Sequence, residues 1–183
     1  FNFGKKTGID LPGEKTGVYP STAWKMKTYK KPWLPGETVS ASIGQGYFLA
    51  TPLQVANATA ILANAGNHLT PHLLSKTTGA VKYSLANKPD GKIPFRGTEQ
   101  DWLNMQTAME LTVKSGTAKG VYTDRYRLAG KTGTAQVKSI AQGKRYNEAA
   151  LSERHRDHGW FIAFAPVDNP QIAVAVIVEN GRG

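Results

Sequence analysis

Residues 127–137 read Arg-Leu-Ala-Gly-Lys-Thr-Gly-Thr-Ala-Gln-Val, and this stretch predicts the strand on which the rest of the fold depends. Thr132 and Thr134 are two residues apart, which places both on one face of a strand, and Gly133 lies between them. A glycine inside a strand often marks the close approach of a ligand or a second backbone, because no Cβ stands in the way. Lys131 adds a fixed positive charge at the same place. The segment therefore predicts a strand edge that holds an anionic peptide.

Two apolar segments follow this strand and predict the remainder of a sheet. Residues 159–165 and 172–178 are separated by a short turn that contains Asp168, Asn169 and Pro170, so they should pair antiparallel. Because residues 172–178 are almost continuously apolar, we expect that strand to be covered on both faces. Strands that follow the helices along the chain predict an α+β fold, in which an antiparallel sheet is flanked by helices.

Two helices are predicted upstream of the sheet. The first begins with a capping box, in which Thr51 is the N-cap, a proline opens the helix and Gln54 stands three residues after the cap. Gly66 supplies its stop, and its many alanines favour close packing against a sheet. The second helix covers residues 99–114, with Thr98 as its cap. Its buried face is predicted to consist of Trp102, Met105, Met109 and Thr112 or Val113.

The remaining segments give weaker signals. Residues 1–47 are rich in glycine, proline and lysine and are predicted to form ordered loops, because Trp24, Trp33 and Tyr47 provide apolar anchors. Residues 68–96 mix short apolar pieces with turn residues, which predicts short strands or a hairpin.

The chain is strongly basic, with a net charge of +10 and four lysines at positions 25, 27, 30 and 31. Basic proteins favour nucleic acid, anionic lipid or anionic substrates. We interpret this cluster as a solvated basic face, with a nucleic-acid-binding surface as the alternative. The absence of cysteine excludes disulfides, thiolate metal sites and a cysteine nucleophile within the chain. The sequence also contains no apolar run long enough to span a bilayer and no signal-peptide pattern.

Four consecutive polar residues, His155, Arg156, Asp157 and His158, contain the side-chain types that bind metals. Adjacent residues rarely point at one ion, and no third or fourth ligand lies nearby in the sequence. We therefore favour a salt-bridged base of a polar loop, and we predict neither a metal nor a cofactor.

The order of these motifs resembles the class B penicillin-binding transpeptidases. Lys-Thr-Gly is among the signature motifs of penicillin-binding proteins and class A β-lactamases. Nearly the whole chain takes part in the resemblance, and residues 3–4, 7–11 and 156–158 are similar to the cell-elongation type within that class. The other segments that carry the resemblance are residues 42–46, 51–54, 160–166, 168–170 and 172–181.

A second triplet of the same shape, Lys114-Ser115-Gly116, is followed by Thr117 and competes for the same role. Lys-Ser-Gly is a variant of the motif in the family that the chain resembles. Local context separates the two, since Lys114 ends a helical pattern and Gly116 stands where a C-terminal cap is expected. Lys131 opens a strand pattern that two further strands follow. We therefore predict that Lys131 is the functional lysine.

The resemblance implies serine acyl transfer and assigns one wall of the site. Lys131 and Thr134 would be catalytic, with the lysine charge assisting proton transfer and the Thr134 N–H donating to the oxyanion. Thr132, Gly133 and Thr134 would bind substrate, with the two hydroxyls on its carboxylate and the bare glycine against its backbone. No metal is implied.

The nucleophile that the family requires is not found in these 183 residues. No serine is followed by lysine at the third position, and none by asparagine at the second. Because the chain begins at Phe1 and stops after a strong strand, both ends look cut. The resemblance implies that residues 1–183 are the C-terminal portion of one transpeptidase domain, with the nucleophile, pedestal and membrane anchor upstream.

The resemblance implies a peptidoglycan D,D-transpeptidase that cross-links stem peptides during cell elongation. Its expected partners are the D-Ala-D-Ala stem peptide, β-lactams, a membrane glycosyltransferase and the remaining part of the same protein, with no nucleic acid. It would act at the periplasmic face of the bacterial inner membrane. The alternatives are a penicillin-recognising sensor domain, which shares the strand, and a basic nucleic-acid-binding module.

Overall fold

The computed structural model describes residues 1–78, 90–137 and 152–181. Its helices are α1 (Thr22–Tyr29), α2 (Pro35–Ser42), α3 (Pro52–Ala63) and α4 (Glu99–Ser115). Its strands are β1 (Asn67–His68), β2 (Gly91–Lys92), β3 (Ala129–Ala135), β4 (His158–Ala165) and β5 (Ile172–Val178). Within the described residues, no helix combines the length and apolar character that a crossing of the bilayer requires.

The three C-terminal strands form one antiparallel sheet in the order β3–β4–β5. Lys131 lies opposite Ile162, and Gly133 lies opposite Trp160, so the register is fixed along the whole of β3. The sheet and its flanking helices confirm the predicted α+β class and the antiparallel pairing of the last two strands.

The hydrophobic core lies between the sheet and two helices. Helix α3 packs against β4 and β5, while α4 packs against β3. The prediction that α3 is a sheet-packing helix is therefore confirmed. The side chains at the centre of this core are all almost fully buried and comprise Ala63, Met109, Ala129 and Phe164.

The prediction that β5 is covered on both faces is wrong for the described part of the chain. Ala173, on the face toward the helices, packs against the core, whereas Ile172 and Val178, on the opposite face, are 65% and 55% exposed. The other two residues of that face, Val174 and Val176, are also exposed. A continuous apolar run indicates that both faces of a strand are hydrophobic, but it cannot indicate which segment covers the second face.

The predicted capping box at Thr51 forms, and Thr98 caps α4 as predicted. The Thr51 hydroxyl accepts a hydrogen bond from the Gln54 N–H at 3.1 Å, while the Gln54 amide oxygen accepts from the Thr51 N–H at 2.9 Å. At Thr98 both the N–H and the hydroxyl donate to one Asp101 carboxylate oxygen, at 2.6 and 2.9 Å. Gly66 has a φ of +86°, which confirms it as the left-handed stop after α3.

The buried face of α4 differs from the prediction at one position. Trp102, Met109 and Val113 are buried as expected, but Met105 is 44% exposed. Gln106 is buried in its place, because its side-chain amide donates to two of the last carbonyls of α3 at 3.0 Å each. The Leu62 carbonyl also accepts from the Ala65 N–H at 3.2 Å, and Gln106 adds a further donor at this helix end, where carbonyls lack their usual intrahelical partners.

The N-terminal 47 residues are ordered, as predicted, but they contain the helices α1 and α2, which the sequence did not reveal. Gln54 fixes this region, since its side-chain amide donates to the carbonyls of Lys5 at 2.7 Å and Thr16 at 2.8 Å. The interpretation of the lysine cluster as a solvated face is wrong for Lys25, which is buried and paired with Glu37. A buried ammonium requires such a partner.

The predicted hairpin between residues 68 and 96 is confirmed in its base. Strands β1 and β2 pair antiparallel, with Asn67 opposite Lys92 and His68 opposite Gly91. The residues between them at 79–89 lie outside the described part of the chain, as do residues 138–151 of the polar connection between β3 and β4.

Candidate active site

The candidate site lies on β3, the outer strand of the described sheet. In that part of the chain β3 pairs with β4 alone, so its second edge has no partner strand there. Lys131, Gly133 and Thr134 are exposed and Thr132 is half-buried, while the preceding Ala129 and Gly130 are buried. The strand therefore enters from the core and presents all four predicted site residues at the surface.

The two glycines of β3 differ in the space around them. A Cβ on Gly130 would lie 2.7 Å from Cζ of Phe161 and 2.9 Å from the Ile162 carbonyl oxygen, distances that folded proteins do not tolerate. A Cβ on Gly133 would meet only the Cβ of Trp160, at 3.4 Å, which is ordinary contact. The packing of the chain thus explains Gly130. Gly133 instead leaves an exposed stretch of bare backbone.

Lys131 is free of carboxylate partners within the described residues. Its ammonium donates to the Thr132 carbonyl at 2.8 Å and lies 3.3 Å from the Thr132 hydroxyl oxygen. Both contacts are neutral, so the charge of the ammonium stays available to an anion that approaches the strand.

The lysine of the second triplet has a structural role. The Lys114 ammonium lies 3.0 Å from a Glu110 carboxylate oxygen one helical turn earlier. Arg127, just before β3, donates to both oxygens of the same carboxylate at 2.8 Å. Hydrogen bonds from Arg127, followed by those from Lys114, lower the pKa of the Glu110 carboxyl from 4.5 to about 2. This ion-pair network joins α4 to the start of β3.

Thr117, the residue that follows the second triplet, contacts the candidate site directly. Its hydroxyl oxygen lies 3.1 Å from that of Thr132. Thr117 is not among the residues predicted for the site, because the second triplet was weighed only as a rival of the first. The signal that could have found it is the position of Thr117 just after the helix, on the segment that leads to β3.

Near the C-terminal end of β3, the polar residues 155–158 bond to different partners and do not converge on one point. Asp157 is buried and accepts a hydrogen bond from the Val137 N–H at 3.2 Å. The ring of His158 accepts from the Asn180 N–H at 2.9 Å, and His155 bonds to a serine hydroxyl. The predicted salt bridge at this loop base is wrong for the described residues, where Asp157 instead bonds to the backbone and takes part in no ion pair. Across the described ranges, no three metal-ligating side chains converge on one point.

An open cleft of about 510 Å³ lies just before the start of β3. Its lining includes Lys114, Tyr122, Tyr126, Arg127 and Asp168. None of the four predicted site residues lines it, so the cleft is separate from the exposed edge.

The arrangement on β3 suits the recognition of an extended anionic ligand. An ammonium, two hydroxyls and a stretch of backbone without a side chain lie within four consecutive residues. An unpaired strand edge supplies N–H and C=O groups that an extended peptide can pair with, and the cation and hydroxyls select a carboxylate. Strand β3 itself contains no serine.

The fold agrees with the comparison against known families. The chain belongs to the penicillin-binding protein transpeptidase domain family, whose model matches residues 1–183. The chain is 62% identical over 182 residues to the peptidoglycan D,D-transpeptidase MrdA of Acinetobacter baumannii, covering 100% of this chain and 27% of that protein. It is 43% identical to MrdA of Haemophilus influenzae, with 100% of this chain and 29% of that protein covered. The chain thus spans little more than a quarter of these relatives.

Solved structures give the same result. The PBP2 of Pseudomonas aeruginosa in complex with WCK 5153 is 40% identical, with a TM-score of 0.77 over 100% of this chain and 38% of that one. The PBP2 of Helicobacter pylori in its complex with MreC is 34% identical, with a TM-score of 0.76 over 100% of this chain and 31% of that one. The resemblance to class B penicillin-binding transpeptidases is therefore confirmed.

Proposed function

We propose that residues 1–183 are the C-terminal portion of the transpeptidase domain of a peptidoglycan D,D-transpeptidase. The observation that carries this proposal is the exposed edge of β3, where Lys131, Thr132, Gly133 and Thr134 stand together with no partner strand in the described residues. The family match over the whole chain and the 62% identity to a peptidoglycan D,D-transpeptidase support it.

In the proposed reaction, a stem peptide ending in D-Ala-D-Ala lies along β3 as an added strand. Its terminal carboxylate binds the Thr132 and Thr134 hydroxyls, and the Lys131 ammonium supplies the compensating charge. A serine from another part of the protein attacks the D-Ala-D-Ala carbonyl, forms an acyl-enzyme and releases the terminal D-alanine. The Thr134 N–H donates to the oxyanion, and an amine of a second stem peptide then accepts the acyl group.

The same edge accounts for recognition of β-lactams, which also carry an anionic group beside a reactive carbonyl. Gly133 allows either ligand to approach the backbone, because it has no Cβ and is exposed. The absence of a carboxylate partner for Lys131 in the described residues leaves its charge free for the ligand.

We further propose that the complete protein works in cell elongation at the periplasmic face of the bacterial inner membrane, with its anchor outside this chain. Similarity to the PBP2 of Helicobacter pylori, which forms a complex with MreC, supports an assembly of the elongation type. A membrane glycosyltransferase that supplies the glycan strands is the second expected partner.

Two measurements on the complete transpeptidase test the proposed reaction. Intact mass spectrometry after incubation with a penicillin should show one covalent adduct per protein. Incubation with a pentapeptide ending in D-Ala-D-Ala and an acceptor amine should then release D-alanine and form a cross-linked product. A protein that forms the adduct but never turns over the peptide would instead be a penicillin-recognising sensor. A protein that forms no adduct would refute the assignment of the family chemistry to this chain.

A further inference from the structure

The hydroxyl of Thr132 is surrounded by two other polar groups. The Lys131 ammonium lies 3.3 Å from its oxygen, and the Thr117 hydroxyl oxygen lies 3.1 Å from it on the second side. A threonine hydroxyl has one proton to donate and two lone pairs that can accept. An ammonium can only donate, so one lone pair of Thr132 is taken by Lys131 whenever that contact is made.

The remaining contact decides how Thr132 uses its single proton. If Thr117 donates to Thr132, both lone pairs are occupied and the Thr132 proton must point elsewhere, toward the exposed side of the strand. If Thr132 instead donates to Thr117, its one proton is used in that hydrogen bond, and the Thr132 hydroxyl cannot donate to a ligand. An anion on the edge of β3 favours the first arrangement, because a carboxylate accepts hydrogen bonds and cannot donate them.

Thr117 is fixed in place by the end of α4. The Gly116 N–H donates to the Leu111 and Thr112 carbonyls, and the Ala118 N–H donates to the Thr112 carbonyl, each at 3.1 Å. Ala118 is itself buried, so the backbone on both sides of Thr117 is anchored. A Cβ on Gly116 would come within 2.8 Å of the Thr112 Cα, which shows how closely the turn packs on the helix.

We propose that Thr117 is a positioning residue for carboxylate recognition. By donating to the Thr132 hydroxyl it makes that hydroxyl an obligate donor toward the ligand's carboxylate. Thr117 itself does not touch the ligand. The inference rests on the proposed function of β3, and it gives the second triplet a role, which is to place Thr117 beside the first.

The test compares Thr117→Val with Thr117→Ser in the complete transpeptidase. A penicillin with its free carboxylate and the methyl ester of the same penicillin serve as acylating agents. Valine keeps the shape but removes the donor, so the second-order rate constant for acylation by the carboxylate should fall about fivefold, the equivalent of one hydrogen bond. Serine should restore the rate. The ester carries no anion and accepts only a weaker, neutral hydrogen bond, so Thr117→Val should slow acylation by the ester less than acylation by the carboxylate.

Lys114→Ala, on the preceding turn, is the matched control and should leave both rates unchanged. An equal loss toward carboxylate and ester in Thr117→Val would mean that the residue only supports the fold, and would overturn the inference. An unchanged carboxylate rate in Thr117→Val would overturn it as well, while the proposed function would stand because the parent protein is acylated. A parent protein that neither reagent acylates would overturn the proposed function and this inference together.

Discussion

Replacing each glycine of β3 by alanine should distinguish a glycine that is needed for stability from a glycine that is needed for ligand binding. Neither Gly130 nor Gly133 has a positive φ, so alanine can adopt both backbone conformations and only space decides the outcome. At Gly130 the new methyl group would lie 2.7 Å from the Phe161 ring and 2.9 Å from the Ile162 carbonyl oxygen. At Gly133 the nearest protein atom is at 3.4 Å.

These distances give different magnitudes for the two variants. Overpacking of this kind costs about 1–3 kcal/mol, so Gly130→Ala should lower the free energy of unfolding by that amount. Gly133→Ala should leave stability unchanged or raise it by about 0.4–1 kcal/mol, because alanine restricts the unfolded chain more than glycine does. The methyl group at Gly133 would nevertheless hold a bound ligand away from the strand. A displacement of about 1 Å can slow the reaction about 100-fold.

The assay pairs urea unfolding of the complete transpeptidase with the rate of acylation by a fluorescent penicillin. Gly130→Ala should be destabilised, whereas Gly133→Ala should be stable but poorly acylated. Normal acylation of Gly133→Ala would refute the conclusion that a ligand approaches the bare backbone. Equal destabilisation by both substitutions would show that Gly133 is needed for packing after all.

Three further results are expected in the complete transpeptidase. Lys131→Ala should slow acylation by penicillin at least about tenfold, since it removes an available charge, whereas Lys114→Ala should leave the acylation rate unchanged, since that ammonium pairs with Glu110. The reverse order would mean that the wrong triplet was chosen. Thr134→Ala should raise the penicillin concentration needed for half-maximal acylation. Because the Thr134 N–H remains, the reaction should slow by less than the roughly 10²–10³-fold typical of a lost oxyanion donor. An acylation rate no higher than background would contradict this. The pKa of Glu110, about 2, lies below its usual 4.5, so the stability that this carboxylate gives the fold should be complete above about pH 4.5 and lost as the pH falls toward 2. In urea unfolding, Glu110→Gln should flatten that part of the pH profile. An unchanged profile would count against the ion-pair network.

Local signals in the sequence were sufficient wherever the physical cause was local. The capping box at Thr51 and the left-handed stop at Gly66 depend on residues three or four positions apart, and both formed as expected. The choice of Lys131 over Lys114 also rested on whether each began a strand or ended a helix. The structure agrees with those local assignments, and the catalytic role of Lys131 stays a prediction.

The sequence was insufficient wherever a distant partner decided the outcome. Lys25 looked like a solvated cation and is buried, because Glu37 on the next helix neutralises it. Met105 looked like a core residue, yet Gln106 took the buried position, where its amide donates to the last two carbonyls of α3. Polar residues buried by a specific distant partner leave no periodic pattern in the sequence, so periodicity alone cannot predict them.

The double connection between α4 and β3 has a consequence for how this protein can be modified. Arg127 and Glu110 tie the two elements at the base, and the Thr117–Thr132 contact ties them beside the exposed edge. The intervening residues 119–126 are largely exposed. Doubling the length of a flexible loop costs only about 0.6 kcal/mol of closure entropy. A peptide tag or a fluorescent reporter inserted in this segment would thus lie close to the site, while the Arg127–Glu110 and Thr117–Thr132 contacts hold β3 in place.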